Sequence, residues 1–141
     1  MTDIMNPGMT VTYQGSLRNQ ATHLRSGNTL TTDAPLDNNG KGEAFSPTDL
    51  LCTSLATCMI TLMGITAESK GIAVGNISAE IEKVMASNPR RVSQIHIALQ
   101  IQNMDYTERE KTILEQAALA CPVAKSLNPE IVQEVSFRYT E

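Results

Sequence analysis

The chain has 141 residues, 41% of them hydrophobic and 18% charged, with a net charge of −4. That length and balance suit one globular domain, read here as residues 1–141, and exclude a disordered tail of note. An acidic balance without any run of Lys or Arg excludes a nucleic-acid footprint and an attraction to anionic membrane surfaces.

Met1–Met5 has no basic segment followed by an apolar one, so no secretory signal is read there. Strand-like pieces follow at Met9–Tyr13, Gln20–Leu24 and Thr29–Thr32, separated by turn signals at Gly15 and Ser26-Gly27-Asn28. Pro35–Glu43, with Asn38-Asn39-Gly40 and Gly42, reads as a surface loop. A long helix comes next. Ser46 caps it, Pro47 suits its first position and Asp49 completes a capping-box variant, while Lys70 and Gly71 mark its end. Leu50–Ala67 is long enough to span a bilayer, but Thr53, Ser54, Thr57, Thr61, Gly64 and Thr66 dilute it, so a buried helix is the reading. Leu50, Leu51, Leu55, Met59, Ile60, Leu62, Met63 and Ile65 put apolar side chains on nearly every face. One small domain can hardly cover such a helix alone, whereas a second subunit can.

Alternation in Ile77, Ala79, Ile81 and in Ile95, Ile97, Leu99, Ile101 gives two further strands, turned at Asn88-Pro89. Thr107–Glu110 is a capping box for a second helix with the stripe Ile113, Leu114, Ala117, Ala118, Cys121. Pro122 breaks or bends that helix at Cys121. Val135, Phe137 and Tyr139 alternate in a closing strand. The order predicts an α+β fold with mostly antiparallel sheets.

Chemistry is concentrated in the thiols. Three cysteines without an export signal point to a reducing, cytoplasmic compartment, where a thiol is reactive or inert rather than a staple. Cys58 lies midway along the long helix, and Cys121 stands at a helix end in irregular surroundings expected to be accessible. Cys52 is rotated by roughly 120° from Cys58 around the helix and reads as packing. The question is whether Cys58 and Cys121 meet in space, and the expectation is that they do. No Cys-x-x-Cys spacing supports a metal site, and only His23 and His96 could add imidazole. His96 reads as a strand residue on a polar face, and no role is assigned to His23. Arg18 and Arg25 are the early cations able to lower a thiol pKa, and Arg90 and Arg91 read as solvated charge. No phosphate loop is present, since Gly40-Lys41-Gly42 is too short.

Phe45-Ser46-Pro47-Thr48-Asp49-Leu50-Leu51, continuing to Ala56-Thr57-Cys58-Met59, resembles the start of the central helix in the OsmC/Ohr family, and Cys121-Pro122-Val123-Ala124-Lys125-Ser126-Leu127 resembles its second cysteine motif. The likeness covers nearly the whole chain. It implies sheets around a long central helix in an intertwined homodimer, with active sites at the subunit interface. It also implies a thiol peroxidase that reduces organic hydroperoxides, and hydrogen peroxide less effectively. By position, Cys58 would be the peroxidatic cysteine, Cys121 the resolving one and Arg18 the activating cation, with Arg25 as the alternative. No cofactor and no metal is implied. An external dithiol, a lipoyl-bearing protein or thioredoxin, would reset the pair. One departure stands out: Thr48 occupies the place after Pro47 where the hydroperoxidase branch often has glutamate, and Asp49 follows one residue later. The chain is therefore more similar to the broader OsmC-like branch, and the rival reading is a non-catalytic module that uses Cys58 to hold a small ligand or metal.

Overall fold

The computed structural model describes residues 6–141; Met1–Met5, read above for a secretory signal, lie outside the described residues. The chain separates into two compact units divided between Leu50 and Leu51.

The first unit is an antiparallel meander of β1 (Met9–Gly15), β2 (Arg18–His23) and β3 (Thr29–Asp33). Only two residues, Ser16 and Leu17, join β1 to β2, and both take positive φ values of 54° and 62°. That pairing of left-handed residues matches the right-handed twist of the strands it connects. Val11, Ala21 and Leu30 share one rung, flanked on the same face by Met9 and Tyr13. The opposite face carries Thr12, Gln20 and Thr31 and, one rung on, Arg18 beside Asp33. In the 35–43 loop a short 3-10 turn, Leu36–Asn38, is pinned by Gly40 N–H to Pro35 O at 2.9 Å and Gly42 N–H to Ala34 O at 3.2 Å. A Cβ at Gly40 would run into the Ala34 carbonyl, so the loop needs glycine there.

Helix α1 (Pro47–Lys70) starts in this unit. Its cap is reciprocal: Asp49 N–H donates to Ser46 Oγ at 3.0 Å and Ser46 N–H donates to Asp49 Oδ2 at 2.9 Å.

In the second unit α1 contributes a buried stripe, Cys52, Leu55, Ala56, Met59, Met63 and Ala67, at helical spacing. Strands β4 (Ile77–Ala86) and β5 (Arg91–Gln102) pair antiparallel, and Ile95, Ile97, Leu99 and Ile101 are all buried in the same core. Helix α2 (Glu108–Leu119) carries the expected capping box, with Glu110 N–H to Thr107 Oγ1 at 3.1 Å and Thr107 N–H to Glu110 Oε1 at 3.0 Å. It stops before Cys121, and a one-turn helix not foreseen from the sequence, α3 (Pro122–Ser126), follows.

Strand β6 (Val132–Thr140) then runs parallel to β5. The pair is parallel because α2 and α3 carry the chain back to the end of the sheet from which β5 started, a crossover that a hairpin cannot make. The remaining three pairings are antiparallel, so the fold is α+β with two mixed-length sheets. Tyr139 Oη donates to Glu115 Oε2 at 2.9 Å and its ring meets Tyr106 edge-on with centroids 5.9 Å apart, tying β6 to α2.

Candidate functional site

Cys58 sits off the buried stripe of α1 and is half-buried, whereas Cys52 lies on that stripe and is 1% exposed. The rotation between them therefore separates a packed thiol from a reachable one. Cys121 is fully buried, not accessible as the sequence suggested. Proline explains the difference. Pro122 forces extended geometry on Cys121 (φ −69°, ψ 147°), and this turns the thiol inward as the cap of α3, where Sγ accepts the Ala124 N–H at 3.4 Å.

There the Cys121 thiol lies close enough to Cys58 for the two groups to interact. Burial pushes the Cys121 thiol up, the Ala124 N–H pulls it back in part, and the contact with Cys58 raises it further. None of the three cysteines is in a disulfide. The site thus holds two adjacent sulfurs of unlike character: one reachable, and one enclosed and kept as S–H.

Arg18 belongs to the first unit, where the β2–β3 register sets it directly opposite Asp33. Nε and Nη2 donate to the two Asp33 carboxylate oxygens at 2.7 and 2.9 Å, a bidentate fork. Nη2 also donates to Glu43 Oε1 at 2.8 Å. Asp33 is buried, and its Oδ2 takes a further bond from the Glu43 N–H at 3.1 Å. The Arg18 fork holds the Asp33 carboxyl below the usual carboxylate range against the pull of burial, with the Glu43 N–H assisting. Asp33 holds the Arg18 guanidinium above its usual range in turn, and Glu43 adds to this.

Asp33 and Glu43 were not singled out from the sequence. A register count across the Ser26-Gly27-Asn28 turn could have found Asp33, but no local pattern marks Glu43. Arg25 is exposed in the β2–β3 turn.

The other candidates make local contacts. Asp49 caps α1, and Thr48 Oγ1 lies 3.2 Å from Ser46 Oγ. His23 Nδ1 is 2.7 Å from Ser26 Oγ in its turn, and half-exposed His96 lies 2.8 Å from Gln94 Oε1 and 3.4 Å from Glu82 Oε1. Arg91, read above as solvated, is exposed and also donates to the Ser87 and Pro89 carbonyls at 3.1 and 2.8 Å, closing its own turn. Among the described residues, no three His, Cys, Asp or Glu side chains gather where they could hold a metal ion.

A family model described as OsmC-like protein matches residues 40–136, a span that includes both cysteine motifs. The chain belongs to the OsmC-like family. A solved protein from Psychrobacter arcticus 273-4, provisionally named an osmotic stress induced and detoxification response protein, is 50% identical, covers 98% of this chain and 100% of its own, and superposes with a TM-score of 0.91. Two more distant structures share the fold. An organic hydroperoxide resistance protein OsmC from Legionella pneumophila is 18% identical over 92% of this chain and 94% of its own, with a TM-score of 0.69. An OsmC like protein from Mycoplasma pneumoniae is 18% identical over 99% and 100%, with a TM-score of 0.79. No protein of curated function matches the sequence.

Proposed function

We propose that this OsmC-like chain is a thiol peroxidase that reduces organic hydroperoxides, with Cys58 as the peroxidatic and Cys121 as the resolving cysteine. The observation that carries the reading is the pair itself: a half-buried thiol beside a fully buried one. The nucleophile in such chemistry is a thiolate, and it must reach its substrate. Cys58 meets the second condition and Cys121 does not.

Attack of the Cys58 thiolate on the distal peroxide oxygen cleaves the O–O bond. Cys58 becomes the sulfenic acid, and the alkoxide takes a proton and leaves as the alcohol. The Cys121 sulfur then attacks the sulfenic sulfur, and the S–S bond forms as water departs. Burial and the nearby Cys58 thiol favour keeping Cys121 as S–H until that step, so its proton is at hand when hydroxide leaves. Arg18 is the proposed cation that stabilises the thiolate and orients the peroxide oxygens. An external dithiol, lipoyl-bearing or thioredoxin-like, resets the pair by exchange, in the cytoplasm.

The working form is proposed to be a homodimer. Support comes from the first unit, which buries no apolar side chain among its described residues and leaves Met9, Val11 and Tyr13 exposed by 69%, 67% and 62%. A contiguous apolar face of that kind requires a cover.

Peroxide consumption by the purified protein with excess dithiothreitol tests the reading. The wild type consumes tert-butyl hydroperoxide and Cys58→Ser does not. In Cys121→Ser the first turnover persists while Cys58 accumulates as sulfenic and then sulfinic acid. Intact peroxide with all thiols unmodified would instead favour a binding module.

A further inference from the structure

The Arg18 guanidinium is held on its two sides by carboxylates of opposite character. Its inner edge, Nε and Nη2, is locked to Asp33, whose side chain is wholly buried. The Asp33 backbone is fixed as well, since its N–H donates to Phe45 O at 3.1 Å and the next N–H, of Ala34, donates to Leu17 O at 3.1 Å. The outer edge, Nη1 and Nη2, is met only by Glu43 at 2.8 Å, and that carboxylate is 65% exposed. Nη1 makes no hydrogen bond to any described residue. A guanidinium presents two such forks, each matched to a pair of oxygens. Here one is permanently filled and the other is half filled by a solvated side chain.

We propose that Glu43 is an internal ligand of Arg18 that a substrate's oxygen pair displaces, while Asp33 keeps the guanidinium oriented through the exchange. The outer fork suits two adjacent oxygens, such as the O–O of a hydroperoxide, and the identity of that substrate rests on the peroxidase reading above. The exchange itself does not. Glu43 is well placed to be the mobile partner: its backbone N–H stays anchored on Asp33 Oδ2 and the loop behind it is pinned at Gly40, so only the side chain has to swing. An exposed pair of this kind is worth little, which makes it easy to displace.

Labelling by phenylglyoxal, which bridges the two nitrogens of a free outer fork, tests the exchange without requiring activity. Peptide mass spectrometry should show Arg18 labelled about 2- to 5-fold faster in Glu43→Ala than in the wild type, the factor expected for loss of an exposed pair. Glu43→Gln, which keeps a neutral acceptor, should fall between. With tert-butyl hydroperoxide and dithiothreitol, the same variants should lower KM in the same order, by more than they change kcat. Equal labelling rates in all three proteins would overturn the proposal, as would faster labelling with no fall in KM in an active enzyme. Faster labelling together with no peroxide consumption by the wild type would leave the exchange standing and remove the peroxidase reading.

Discussion

Arg18 is an arginine whose surroundings, not its type, set it apart. A solvated surface arginine has no fixed orientation, but Asp33 gives this one a set plane and a set edge. Arg18→Ala should therefore slow Cys58 oxidation by at least tenfold, while Arg25→Ala, in an exposed turn, should leave it near the wild-type rate; stopped-flow detection of the sulfenate reads both. The same ion pair has an acid limit. The Asp33 carboxyl is held below its unfolded value, near 3.9, so its contribution to stability is complete above that pH and is lost as pH falls through the depressed folded value. Denaturant midpoints measured against pH should show Asp33→Asn less stable than the wild type at neutral pH, with the gap closing below about pH 4. Cys121 shows the reverse sense. Its raised thiol favours the folded state at low and neutral pH, and that contribution fades as pH climbs through the alkaline range.

Helix α1 was the most legible element, because both of its ends are written in local chemistry: Ser46-Pro47-Thr48-Asp49 at the start and Lys70-Gly71 at the stop. Asp49→Asn should lower stability by roughly 0.3–2 kcal/mol, the range for caps and dipole partners, with little effect on peroxide turnover. A large catalytic loss at unchanged melting temperature would show that Asp49 does chemistry as well. The Cys-Pro signal at 121 fixed where α2 had to stop, yet not which way the thiol would point. That depends on α3, whose single turn is too short for periodicity to reveal. The parallel sense of β6 was hidden for a similar reason, since an alternating strand looks the same in either direction and only the crossover decides. Arg18 and Asp33 meet through strand register, a property of two segments and a turn together, so reading Arg18 alone could not reveal its partner.

At the scale of the whole molecule, the two units differ in how they satisfy their apolar residues. The second unit closes a core of its own around Leu55, Met59, Leu99 and Leu114, whereas the first presents Met9, Val11, Tyr13 and Leu30 outward. A second copy is the proposed cover, so sedimentation at micromolar concentration should find a dimer, and Val11→Asp in the middle of the apolar rung should shift it toward monomer or aggregate. A folded wild-type monomer at that concentration would contradict the dimer. The central claim concerns the two sulfurs that α1 and the Cys121-Pro122 bend bring near each other. The most direct test is peptide mass spectrometry of the protein after one equivalent of tert-butyl hydroperoxide, without reductant. The account predicts a Cys58–Cys121 disulfide within one chain and Cys52 recovered as a free thiol. A Cys52–Cys58 bridge, or three unmodified thiols beside intact peroxide, would contradict it.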